Sequence, residues 1–153
     1  MILDLLKVME KEVKEVFKGF KLPQPADDED KIAKVNVYQM DLPIKKKEND
    51  ESHFPFVIIN PVDGEVDENE TITLNFVFGF YNDNEDKQGG KELLVALEKL
   101  KNHLIHKKFF GEYDVQNKMK WMLQEEDLHP YYYGILEIKV RENKIMQEME
   151  DFL

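Results

Sequence analysis

The chain contains no cysteine, one serine and one arginine among its 153 residues. Without thiols there is no disulfide framework, no thiolate zinc site and no cysteine nucleophile, and an intracellular origin is the expectation. The single serine, Ser52, lies in a charged stretch beside His53, a poor setting for a nucleophile that needs a supporting element and an oriented base. With Arg141 as the only arginine, the chain lacks the side chain best suited to bidentate phosphate recognition. The formal net charge of −11 completes that reading, and no specific nucleic-acid binding is expected. A run of about 20 apolar residues is also missing, which argues against a membrane span. The opening MILDLLKVMEKEVKEVF is charged from Asp4 onward and does not follow a signal-peptide pattern.

What is present suits a packed domain. Hydrophobic residues make up 42% and aromatics 11%, enough to support one core despite 35% charge. Ile2, Leu5, Leu6, Met9, Val13, Val16, Phe17 and Phe20 recur at helical spacing, predicting a first helix to about Gly19, stopped by Pro23 and Pro25. Asp27–Asp30 reads as a solvated acidic loop or the start of a turn, and Lys34–Met40 as a short strand. Leu42–His53, with KKKENDES, reads as a mobile loop tip. Phe54–Asn60 is a buried-type strand whose Pro55 suits a strand start or an edge.

Thr71–Tyr81 alternates, with Ile72, Leu74, Phe76, Phe78 and Phe80 on one side and Thr71, Thr73, Asn75, Val77 and Gly79 on the other. The acidic stretch between these strands carries Asp63-Gly64, a turn signal, so a hairpin with a long connection is predicted. Asn82–Gly90 is a polar loop, and a second helix from about Lys91 is striped by Leu93, Leu94, Leu97, Leu100 and Leu104. That strand and helix, with the strand that follows, make a crossover, right-handed if the flanking strands are parallel neighbours. Val115–Gln124 and Tyr131–Arg141 supply the last strands, joined through Glu125–Pro130. Ile145, Met149, Phe152 and Leu153 share one helical face in a tail over 143–153, which leaves 1–142 as a single domain. The fold class is α+β: a two-layer domain, mostly antiparallel (mixed) sheet, with two amphipathic helices packed on one face.

The candidate chemistry is thin. His103 and His106 are three apart on the second helix and could ligate a metal with a distant carboxylate, but such a pair near a helix C-terminus more often complements the dipole. Asn82–Asp86 begins like a calcium loop and fails, since Lys87 stands where the turn glycine belongs and Leu93 where the bidentate glutamate does. The carboxylates of Asp67–Glu70 and Glu125–Asp127 are read as solvated loops, and Gly89-Gly90 lacks the lysine and hydroxyl of a phosphate cradle. No catalytic residue, cofactor or metal is therefore assigned. In Tyr131–Arg141 alternation puts Tyr132 on one side with Leu136, Ile138 and Val140, and Tyr131 and Tyr133 on the other with Ile135. A sheet with apolar residues on both faces, one covered by helices, is expected to meet another subunit with its second face.

One segment concentrates the aromatics: MKWMLQEEDLHPYYYG over Met119–Gly134, with the only tryptophan and three consecutive tyrosines. Together with FPFVIINPVDGE, FVFGFY, Gly89-Gly90 and the leucine-striped helix, it resembles the small tail-terminator (tail-completion) proteins of long-tailed bacteriophages and of prophages in Gram-positive bacteria. The resemblance spans about Phe54–Arg141. It implies a non-enzymatic subunit of a homo-oligomeric ring, typically a hexamer, that caps the tail tube protein and offers a surface to the head–tail connector protein. The corresponding location is the virion tail, or the host cytoplasm during assembly. The candidate subunit or partner interface comprises Trp121, Glu125, Glu126, His129, Tyr131, Tyr133, Asp67, Glu68, Asp83 and Phe152. Within it, Trp121 and the tyrosines are expected to pack the closing hairpin, and Glu125–His129 to be a loop presented to a neighbour. Another neck or minor tail component is the first alternative, and a small metal-dependent hydrolase the second.

Overall fold

Apolar residues return every third or fourth position in α1, Ile2–Val16, which buries Leu5, Leu6, Met9, Val13 and Val16 along one stripe. The helix ends before the prolines. Phe20 N donates to Phe17 O, and Gly19 takes a positive φ of 80°, a conformation only glycine adopts without strain, so the chain turns there. Pro23 instead closes a short strand, β1 (Lys21–Pro23), paired antiparallel with β2 (Ile32–Lys34). The computed structural model describes residues 2–23, 32–43 and 52–142. Pro25, Asp27–Asp30, residues 44–51 of the charged stretch Leu42–His53, and the tail over 143–153 with Phe152 lie outside those residues.

Among the described residues the main sheet is seven-stranded and mixed. β3 (Asn36–Gln39) runs parallel to β4 (Phe56–Val66); β4 then pairs antiparallel with β5 (Glu70–Tyr81), and β5 with β9 (Tyr131–Glu142). The far edge of β9 is shared by two short strands. β7 (Tyr113–Val115), which carries β6 (Phe109–Phe110), pairs with its C-terminal end, and β8 (Lys120–Leu123) pairs with Gly134–Glu137. The predicted strand Val115–Gln124 is thus broken, the chain leaving one pairing at Gln116, whose N–H reaches Lys139 O, and resuming at Lys120.

β4 is also longer than predicted. The Asp63-Gly64 signal falls inside the strand, where the register shifts between Pro61 and Asp63. A bulge tolerates the missing proline N–H, and the pairing with β5 then continues to Val66. The turn comes at Asp67–Asn69, where Asn69 N donates to the Asp67 carboxylate at 2.9 Å.

Between β5 and β6 lies α2, Gly89–Lys107, burying Leu93, Ala96, Leu97, Leu100 and Leu104. β5 and β7 are each antiparallel to β9, so they run parallel to one another with β9 between them rather than as neighbours. Both helices pack on one face. The core joins their stripes to Ile72, Leu74, Phe76, Phe78 and Phe80 of β5, to Leu136, Ile138 and Val140 of β9, and to Val57 and Ile59 of β4. Among the described residues this is the α+β arrangement of two helices over a mostly antiparallel sheet.

Candidate functional site

Among the described residues no helix covers the second face of the sheet. The pairing registers align its side chains in rows across the strands: Tyr38, Ile58, Val77, Ile135 and Met122 form one row over β3, β4, β5, β9 and β8. Ile58, Val77 and Ile135 are half-buried and Met122 is 50% exposed. Toward the N-terminal end of β9 the row gives way to an aromatic cluster. Phe54 lies 5.0 Å from Phe56 and 5.1 Å from Tyr131, and Tyr131 lies 5.8 Å from Tyr81, between ring centroids. Phe56 lies over Gly79, where even a Cβ atom would fall into the ring. In the opposite direction the face turns polar through Asn60, Asn75 and Glu137, then Asp63, Thr73 and Lys139.

The loop from β8 to β9 is tied by its own side chains. Gln124 accepts the Tyr133 N–H at 2.6 Å and donates to Glu126 O and Tyr131 O, bridging the two ends of the loop. The Asp127 carboxylate accepts from His129 N at 3.1 Å and from Lys87 Nζ at 2.8 Å, fastening this loop to the segment before α2. The hydrogen bond to Lys87 holds the Asp127 carboxyl below its ordinary range and raises the Lys87 ammonium in return. His129 Nδ1 lies 3.0 Å from the Tyr132 hydroxyl. The Tyr132 ring in turn packs so close to Gly89 that no side chain fits there, which is a reason for glycine at the start of α2 beyond chain flexibility. Beside these groups is an open cavity of about 320 Å³ lined by Leu93, Leu123, Tyr133, Glu125, Glu126 and Asp127.

The residues singled out from sequence divide among several places. Tyr131 and Tyr133 belong to the open face, and Asp83 lies beside its aromatic end, accepting from the Tyr81 hydroxyl at 3.4 Å. Glu125, Glu126 and His129 belong to the tied loop. Asp67 and Glu68 occupy the tip of the β4–β5 hairpin, at the other end of β5 from Tyr81. Trp121 shares the helix side of the sheet with Leu136 by register, yet it is 53% exposed and packs no core.

His103 and His106 do not converge. His103 Nε2 meets Glu12 Oε2 of α1 at 2.8 Å, while His106 Nδ1 lies 2.9 Å from the Asn102 carbonyl. Burial alone would raise the Glu12 carboxyl, but hydrogen bonds from Lys107 and His103 outweigh it and hold it below its ordinary value. Among the described residues no three His, Asp or Glu side chains are grouped as a metal cage requires, and no helix is long and apolar enough to cross a membrane.

Sequence reading missed Phe54, Phe56 and Tyr81 as parts of the open face, although FPF sets two aromatics at spacing two and Tyr81 continues the alternation that put Val77 and Gly79 on that side. What hid them is that their partners are fixed by pairing across strands. No family model and no characterised protein matches the chain.

Proposed function

We propose that this protein acts by assembly, as a non-enzymatic ring subunit of the tail-terminator kind, with the open face of its sheet buried between copies. The observation that carries the reading is the apolar band of Ile58, Val77, Ile135 and Met122, continuous with the aromatic cluster, on a face that no described helix covers. A contiguous apolar patch of this kind on a sheet face is a marker of a protein–protein contact. The resemblance of the FVFGFY strand and the closing hairpin to tail terminators supplies the kind of assembly: a ring that caps a tail tube and offers a surface to the head connector.

In such a ring the acidic hairpin tip, Asp67–Glu70, belongs at the lumen, where carboxylates repel DNA phosphates and let the genome slide. The separate engagements of His103 and His106 leave the metal-dependent alternative without its ligand pair.

Native mass spectrometry and negative-stain electron microscopy of the purified protein test the reading. A closed annulus with an open lumen is the expected particle. A monomer at every concentration, or a compact dimer without a lumen, contradicts it, and a ring with a basic lumen overturns the placement of the acidic tip.

A further inference from the structure

Among the described residues the main sheet has β3 at one lateral edge and, beside the Gly134–Glu137 half of β9, β8 at the other. We infer that these edges pair with each other between copies, β8 of one copy adding antiparallel to β3 of the next, with Trp121 seated in a cleft beside β3. The inference takes assembly between copies as its premise and adds to the open-face contact a second one, at the sheet edges.

Strand direction comes first. β3 is parallel to β4, and β4, β5, β9 and β8 alternate, so β8 and β3 run in opposite directions within one copy. A second copy placed side by side in the same orientation therefore meets β8 with an antiparallel strand.

Parity agrees as well. Gln124 N donates to Tyr133 O, and hydrogen-bonded positions alternate along an antiparallel pair, so the N–H and C=O groups of Trp121 and Leu123 point away from β9. On β3, Asn36 N donates to Pro55 O and Met40 N to Ile59 O, so the backbone groups of Val37 point away from β4. Trp121 and Val37 both carry their side chains on the helix side. Two such residues can face each other directly, as an antiparallel ladder demands, without inverting either sheet.

The third observation is a knob and a hole. Trp121 is 53% exposed on an edge strand, so its indole is open to a neighbouring copy. A cleft of about 400 Å³ opens at the β3 edge, walled by Phe17, Val35 and Val37, with the ammonium-bearing stems of Lys14 and Lys18 beside it. An indole entering there gains apolar contact from Phe17 and a cation–π partner from either lysine. With Trp121 opposite Val37, Met122 meets Asn36 on the other face, and the acidic pair Glu125–Glu126 comes alongside Lys34. The contact is heterologous, so repetition closes a ring or extends a filament, while β8 pairing with itself stops at a dimer.

Because the chain has no cysteine, engineered thiols read this contact directly. Met122→Cys and Asn36→Cys are made as separate single variants, mixed and mildly oxidised, with the solution mass of the wild type measured alongside. The two positions lie on opposite edges, four strand spacings or about 19 Å apart within one copy, so a disulfide can form only between copies. The expected result is a cross-linked pair from the mixture and none from either variant alone, together with loss of assembly in folded Trp121→Ala. An assembled wild type without cross-linking in the mixture overturns the edge pairing and leaves the assembly reading standing. Met122→Cys linking to itself replaces β3 with a second β8 and also overturns it. A wild type that stays monomeric overturns both.

Discussion

The two faces of the central sheet are built from the same strands and are covered differently. Along β5, Leu74, Phe76 and Phe78 are fully buried beneath the helices, whereas Asn75 and Val77 between them remain half-buried on the other side. Along β5 the covered face is apolar from Ile72 to Phe80, where the helices bury it within the chain. The open face is graded, aromatic at one end, aliphatic in the middle and polar at the other. Burial drives a fold wherever it removes apolar surface from water, and an apolar band left half-open is surface that a second molecule can still cover. That contrast separates the residues that hold this protein together from those that can hold it to a neighbour.

The sharpest way to break the comparison is to cut the covered face. Phe78→Ala removes a ring packed edge-on against both Phe17 and Phe80 and is expected to cost about 3–5 kcal/mol, read from denaturant unfolding. An equivalent loss on truncating a half-buried open-face residue such as Val77 would erase the distinction between faces.

Gly79→Ala probes a place where the open face is closely packed. The new methyl group would displace the Phe56 ring, and the expected cost is about 1–3 kcal/mol by the same measurement. A neutral outcome would mean that the aromatic cluster yields without penalty.

The smallest stability effect is expected at the rim of the covered layer, where Glu12 joins α1 to His103 and Lys107 of α2. The folded carboxyl sits below its ordinary value of 4.5, so its contribution is present above that value and is lost as pH falls through the folded one. Glu12→Gln should cost about 1 kcal/mol or less at neutral pH, because the lysine is well exposed and screened by solvent. Melting temperature followed against pH should show the variant and the wild type converging in acid. A gap that persists there would place the effect in packing rather than in charge.

How much of this could be read in advance depended on how local each signal was. The two helices and the alternation of β5 were legible because their periods lie within the segments themselves. The extension of β4 was not, since Pro61 and Asp63-Gly64 look like a turn until a long partner strand carries the pairing past a bulge. β7 and β8 escaped as separate strands because their break follows from sharing one edge of β9, and β6 because its partner is the equally short β7. The same distance-dependence hid part of the candidate site. Tyr131, Tyr133 and Ile135 could be assigned to the second face by counting in twos, whereas Phe54 and Phe56 join them only through cross-strand register. Trp121 shows the limit most plainly: its type suggests packing, and its exposure follows from a short edge strand at the margin of the sheet.

Solution mass of the wild type beside Ile135→Lys, with unfolding of each followed in parallel, tests the division of labour between faces most directly. Ile135 stands in the middle of the apolar band, opposite Val77 on one side and Met122 on the other. The lysine should leave the melting transition of the monomer within about 0.5–1 kcal/mol of the wild type and abolish assembly. A variant that assembles as the wild type does, or one that unfolds outright, would contradict the assignment of this face to contacts between copies.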